Sequence, residues 1–208
     1  MSRSVKRIKG DKLGKKFAIG CVVAAVVIIV IVGLSFAAYI ISSRNNMVAK
    51  EVTIDQAWAQ VQNVYQRRLD LIPNLVESTK GYMQLEKDIF EAITEARAGI
   101  NSAETPSELE SATQELGSFI DDIRIVVEDT PELKASETVR DLMIQLEGSE
   151  NRIAVERSRF NETIGDYNIY IKMWPRNIIA GWFGFTEKEF FEAQPGAEIA
   201  PEVDLELD

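Results

Sequence analysis

FAIGCVVAAVVIIVIVGLSFAAYII, residues 17–41, is a run of 25 positions without a charged side chain. As a helix rising 1.5 Å per residue it reaches about 37 Å, enough to cross a hydrocarbon core of about 30 Å with modest tilt. The chain is therefore expected to hold a transmembrane helix over 17–41, and everything else is placed relative to that span. Before it stand Arg3, Lys6, Arg7, Lys9, Lys12, Lys15 and Lys16 against the single acid Asp11, a net charge of +6 over residues 1–16. Just after it only Arg44 and Lys50 are basic. Basic residues are retained on the cytoplasmic side, so the bias predicts a single-pass membrane protein, its N-terminus inside and the rest outside. The same basic tail suits anionic headgroups.

Two processing readings compete with a permanent anchor. Gly20-Cys21 resembles a lipoprotein site only superficially, since such a cysteine follows the apolar run and this one opens it. Cleavage near Ser35-Phe36-Ala37 would turn the run into a signal peptide, but its apolar stretch exceeds the 7–15 residues usual there. Cys21 is the only cysteine. No intrachain disulfide can form, and its simplest role is that of a small apolar filler.

The 167 residues after Ile41 carry 16 basic and 32 acidic side chains. Phosphate contact needs clustered Lys and Arg, so a nucleic-acid partner is not expected. Apolar residues recur there at steps of three and four. Ile54, Trp58, Val61, Tyr65, Leu69, Ile72 and Val76 trace one face of a first helix. Pro73 lies within it and predicts a kink, because its ring opposes the Leu69 carbonyl; Gly81 is the expected stop. A second helix runs from about Leu85 to Ile100. The third has the clearest start, with Thr105 as cap, Pro106 in the first turn and Glu108 completing a capping box. Its face is Leu109, Ala112, Leu116, Phe119, Ile123 and Val126, and Thr130-Pro131 ends it. The fourth extends from about Ser136 to Trp174 through Val139, Leu142, Leu146, Ser149, Ile153, Phe160, Ile164, Tyr167 and Ile171. No strand-like alternation of useful length occurs. The expectation is an all-α protein: a transmembrane helix at 17–41, then an antiparallel up-down-up-down four-helix bundle over 48–174, with coiled-coil-like packing. An aromatic segment over 175–191 is expected at the end of the bundle, and an acidic, disordered tail over 192–208.

Gln66-Arg67-Arg68-Leu69-Asp70-Leu71-Ile72-Pro73-Asn74-Leu75-Val76-Glu77 resembles the LemA family of bacterial membrane proteins. So do Lys80-Gly81-Tyr82, Glu86-Lys87 and Thr94-Glu95-Ala96-Arg97-Ala98. A second block is Leu146-Glu147-Gly148, Glu150-Asn151-Arg152-Ile153-Ala154 and Asp166-Tyr167-Asn168. The third, Trp174-Pro175-Arg176-Asn177-Ile178-Ile179-Ala180-Gly181-Trp182-Phe183-Gly184-Phe185, is similar to the family's closing segment. Where the family often has histidine, after Gly81, this chain has Leu85, and it contains no histidine at all. The resemblance implies an antiparallel four-helix bundle on a membrane anchor, and no enzymatic activity.

The absence of histidine removes the Glu-x-x-His pattern of carboxylate-bridged metal pairs, and no cofactor is expected. Glu91 and Glu95 share a face, as acids on solvated helices routinely do. No phosphate-cradling glycine loop is present, and nucleophilic catalysis lacks a histidine base and a soluble cysteine. Two groups remain as candidate sites. Arg68, Pro73, Asn74, Glu147, Asn151 and Arg152 form a candidate polar cluster at the kink, against the plainer reading of a network that satisfies freed backbone groups. Trp174, Ile178, Ile179, Trp182, Phe183 and Phe185 form a candidate interfacial or partner patch, against the plainer reading of a cap. The sequence reading is a membrane-anchored scaffold or adaptor that binds other proteins or a second copy of itself. A ligand- or stress-sensing module relaying bundle repacking to the span is the alternative.

Overall fold

The computed structural model describes residues 3–82 and 86–192. They form six helices and no strand: α1 (Arg3–Ser78), α2 (Glu86–Ser102), α3 (Pro106–Asp129), α4 (Pro131–Ala135), α5 (Glu137–Lys172) and α6 (Arg176–Phe183). The acidic tail expected over 192–208 lies, beyond Glu192, outside the described residues.

The span and the first helix of the soluble part, expected as two elements, are one. Helix α1 runs unbroken for 76 residues. Neither Gly nor Pro occurs between Gly33 and Pro73, so nothing interrupts it where the apolar run gives way to Ser42, Ser43 and Arg44. Past Gly20 its apolar stretch, of mean hydropathy 3.0, has no residue buried by the rest of the chain among the described residues. A helix that is apolar all round and unburied by protein matches a hydrocarbon environment. Pro73 sits inside α1, which continues to Ser78. Among the described residues, no side chain of Arg68, Asn74 or Asn151 bonds to the Leu69 carbonyl opposite its ring. The chain then turns through Gly81, whose φ of 90° lies in the left-handed region open to glycine.

The soluble half of α1 lies antiparallel to α5 in a single register. Tyr167 meets Glu51, Phe160 meets Trp58 and Glu150 meets Arg68. Val139, Leu146, Ile153, Phe160 and Tyr167 recur every seven residues on α5 and are all buried. That spacing holds a seam against a neighbouring helix over a long distance. Opposite them Ile54, Val61, Tyr65, Leu69, Ile72 and Val76 are buried as their periodicity requires, with Trp58 partly covered.

Helix α2 runs back along α1, tied by Arg97 Nη2 to Asp70 Oδ1 at 2.7 Å and by Gln62 Nε2 to the Ile100 carbonyl at 2.8 Å. Helix α3 starts as expected: Thr105 accepts from the Glu108 N–H, while Glu108 Oε2 accepts from the Glu104 N–H. Its buried line is Leu109, Leu116, Ile120, Ile123 and Val127. Ile120 and Val127 thus replace the expected Phe119 and Val126 at the centre, and those two pack only partly covered beside it. Thr130-Pro131 does not simply end α3. Pro131 opens the one-turn α4, which seats Leu133 in the core before Ser136 caps α5.

Gly99 of α2 faces Ala112 of α3. A Cβ added at Gly99 would come within 2.5 Å of the Ala112 Cβ, so the two helices meet there closely enough to exclude a methyl group. Alanine is the better helix former by about 1 kcal/mol. Gly99→Ala should nevertheless lower the stability of the soluble part by about 1–3 kcal/mol, through forced separation of α2 and α3. Urea unfolding in detergent, followed by helical circular dichroism, reads this; a stabilised variant would show that the contact yields freely.

Candidate functional site

Helices α1, α3 and α5 together enclose a cleft of about 720 Å³. Its walls bring three guanidinium groups, those of Arg68, Arg124 and Arg157, to one place. Each is held by carboxylates. Glu150 Oε1 lies 3.0 Å from Arg68 Nη2 and 3.3 Å from Arg124 Nη2. Arg124 also reaches Asp121 on its own helix at 3.3 Å, and Arg157 pairs with Glu110. The Arg68 Nε is buried and has no hydrogen-bond partner. The arrangement joins three helices by charge, with Glu150 shared between two arginines. An Arg held this way is stiff and fixes the rotation of its helix.

Tyr65 closes the floor. Burial pushes its phenol above its ordinary value and Glu110 adds to this, while Arg157 and Arg68 pull the other way. Tyr167, further along α5 and fully buried, is raised in the same direction by burial and then by Glu51, which accepts its hydroxyl proton at 3.2 Å. Both phenols are therefore neutral at ordinary pH and offer no base. For stability the sign follows directly. The fold favours the neutral phenol, and the unfolded chain ionises near pH 10, so the contribution is intact below about pH 10 and is lost as pH rises above it. The urea midpoint should hold flat to that point and then fall. Tyr167→Phe should shallow the fall, and an unchanged slope would remove Tyr167 from the account.

The polar cluster expected around Pro73 does not assemble. Asn74, Glu147, Asn151 and Arg152 are exposed, and only Arg68 enters the cleft. Its partner is Glu150, three residues past Glu147 on the adjoining face of α5. Cross-helix partners are set by register and rotation, which a single sequence does not report.

The aromatic patch is divided by α6. Ile179 and Ala180 are buried, and Phe185 packs partly covered on the core. Trp174 (80% exposed) and Trp182 (64%) point outward, with Ile178 and Phe183 also exposed. Helix α6 touches both α1 and α5. The Arg44 guanidinium, three residues past Ile41, lies 5.4 Å from the centre of the Phe183 ring. Thus α6 lies where the apolar run ends.

Sequence reasoning missed a further feature. After Gly184, which ends α6 with φ 77°, the chain runs extended along α5. Lys188 donates its N–H to Asn168 Oδ1 at 3.0 Å, and its carbonyl accepts from Asn168 Nδ2 at 2.9 Å. Phe191 does the same with Asn161, at 2.8 and 2.9 Å. The Phe191 ring enters a cluster with Trp58 and Phe160, at centroid distances of 5.9 and 5.4 Å, with Arg157 4.6 Å above it. The available signal was two asparagines seven residues apart beside the buried seam of a helix.

The family model described as LemA family matches residues 57–205. Among curated proteins the chain is similar to "Magnetosome protein MamQ 2" and "Magnetosome protein MamQ 1" of Paramagnetospirillum magneticum. Each is 27% identical over 226 residues, covering 95% of this chain and 83% of the relative. "Magnetosome protein MamQ" of Magnetospirillum gryphiswaldense is 27% identical over 171 residues, covering 68% of this chain and 63% of the relative.

Proposed function

The chain belongs to the LemA family, and from that premise we propose that it is a membrane-anchored, non-catalytic scaffold or adaptor of the bacterial envelope, acting through contacts with other proteins. Residues 17–41 cross the inner membrane and residues 1–16 stay in the cytoplasm. Residues 48–174 form an up-down-up-down four-helix bundle on the outer side, 175–191 lie against it with α6 at its membrane-facing end, and 192–208 follow as an acidic tail. One observation carries the reading: α1 passes without a break from the apolar run into the packed helices, so the domain stands on a rigid stem. That the relatives are named as magnetosome proteins, not by an activity, supports a non-catalytic role.

Helix α6 rests in the headgroup layer. Trp174, Ile178, Trp182 and Phe183 face lipid while Ile179 and Phe185 face the bundle. Its support is the place of α6 beside Arg44 and the exposure of two tryptophans, residues favoured where an apolar ring meets polar surroundings. The continuity of α1 also favours a second reading, in which repacking of the bundle upon a ligand or stress is passed mechanically to the span.

A reporter active only outside the cytoplasm, fused after Asp208, should be active, and a cytoplasm-dependent fluorescent reporter at the same place should stay dark. The reverse pattern would overturn the orientation. Crosslinking in intact membranes tests the adaptor role, which fails if no protein is captured through the soluble domain.

A further inference from the structure

The extended segment beside α5 is held as a peptide is held, through its backbone. Each of two asparagine amides pairs with both the N–H and the carbonyl of one residue, at Lys188 and at Phe191. The spacing explains why two such pairs form at once. Asn161 and Asn168 are seven residues apart on a helix, about 10.5 Å at 1.5 Å per residue. Lys188 and Phe191 are three residues apart in an extended chain, about 10 Å at 3.3 Å per residue. The helix thus presents two strand-like rungs in step with an extended backbone. Backbone pairing places the segment, and the ring of Phe191 between Trp58 and Phe160 selects it.

Arg157 Nη2 also donates to the Glu192 carbonyl at 3.0 Å, and between these points the segment is lightly attached. Residues 186–190 are exposed, and its side-chain links are surface ion pairs, Lys172 to Glu187 at 2.8 Å and Lys188 to Glu51 at 3.9 Å. Such pairs contribute little. The segment leaves α6 at Gly184, a position free to turn.

We infer that the Asn161–Asn168 face of α5 is a peptide-binding groove, and that it takes residues 186–192 from a second copy of this chain as well as from its own. The sequence seen seated in this groove is this segment, and every copy carries it. Spans of the same length hold neighbouring copies at one height and one orientation, so groove and segment of adjacent molecules lie level. Exchange is then reciprocal about an axis normal to the membrane, which closes as a pair. The copy's own segment competes at high effective concentration, so single and exchanged forms coexist, with crowding in the membrane setting their ratio. This names a partner for the adaptor reading and rests on it only for the membrane that aligns the copies.

The test uses full-length chains in lipid vesicles, with Cys21→Ser throughout and two sizes of tag. One copy carries Lys172→Cys, the other Glu187→Cys, replacing the exposed ion pair. Mild oxidation should give a disulfide between chains of different size. Its yield should drop at least about tenfold when the Glu187→Cys copy also carries Phe191→Ala, the loss expected for removing a central aromatic anchor. Lys188→Pro, which deletes the N–H donated to Asn168, provides a second variant should Phe191→Ala reduce the helical signal. A control chain carrying both cysteines reports whether its own segment is seated. Intrachain bonds without interchain ones overturn the exchange and leave the adaptor reading standing. Interchain bonds indifferent to both variants mean random collision and also overturn it. Loss of both kinds of bond overturns the groove itself.

Discussion

Phe160→Ala should cost the soluble part about 3–5 kcal/mol, the largest effect expected from any single truncation described. The ring is 4% exposed and touches two others, Trp58 at 5.3 Å and Phe191 at 5.4 Å. Removing it opens a cavity where α1, α5 and the extended segment meet. Neither neighbour can slide into the gap, because Trp58 is fixed by the α1–α5 register and Phe191 by its backbone bonds to Asn161. Two measurements distinguish a local from a general loss. Urea unfolding gives the total. Hydrogen exchange at the Lys188 and Phe191 amides should accelerate under native conditions before the helices open. A loss below about 1 kcal/mol would mean that the site collapses around the missing ring, and that the aromatic cluster is not the anchor it is taken to be.

Glu150→Gln should be the second large effect, about 1–3 kcal/mol. The change keeps the size of the side chain and removes its charge, leaving Arg68 and Arg124 facing one another across a cleft without their shared counter-ion. Removing one partner of a fully buried pair costs about 3–5 kcal/mol; here a third of the Glu150 side chain is open to water, which screens the result. Adding Arg68→Met should recover part of the loss, since the buried Nε without a partner then goes as well. The coupling between the two changes is the quantity to measure. Simple additivity would show that Glu150 acts only through Arg124 or not at all.

Much of the helical architecture was legible because apolar spacing and breakers act locally. The stripe from Ile54 to Val76 is buried as read, and the Thr105 cap starts α3 where its chemistry predicts. The errors have physical causes. Thr130-Pro131 ends α3 as read, but the one-turn α4 that the same proline opens was not expected, although a proline also suits the first turn of a new helix. Phe119 and Val126 were placed in the centre because three- and four-residue steps fit either of two adjacent faces; Ile120 and Val127 won once α3 met its neighbours. The polar residues assigned to the Pro73 kink were grouped because they fall in the two blocks that resemble the family, beside the apolar stripes of their helices. The charges that do converge, Arg68, Arg124, Arg157 and Glu150, come from three helices and share no local pattern. The extended segment was hidden for another reason. Its recognition runs through backbone atoms, which every sequence has, and the asparagines that read it look like ordinary surface residues.

The unbroken α1 also gives the molecule a compass heading. In a helix each residue turns the chain by about 100° and lifts it by 1.5 Å. With no joint between Gly33 and Pro73, the azimuth of every face of the domain is locked to the azimuth of the span. One residue inserted near Ser42 would swing the whole domain by more than a quarter turn while barely raising it, and would lift α6 off whatever lies beneath it. Seven residues would bring it back to within about 20° of its old heading, roughly 10 Å higher. Bearing and altitude are thus written in the same short stretch of sequence, and a neighbour in the plane of the membrane always meets the same side.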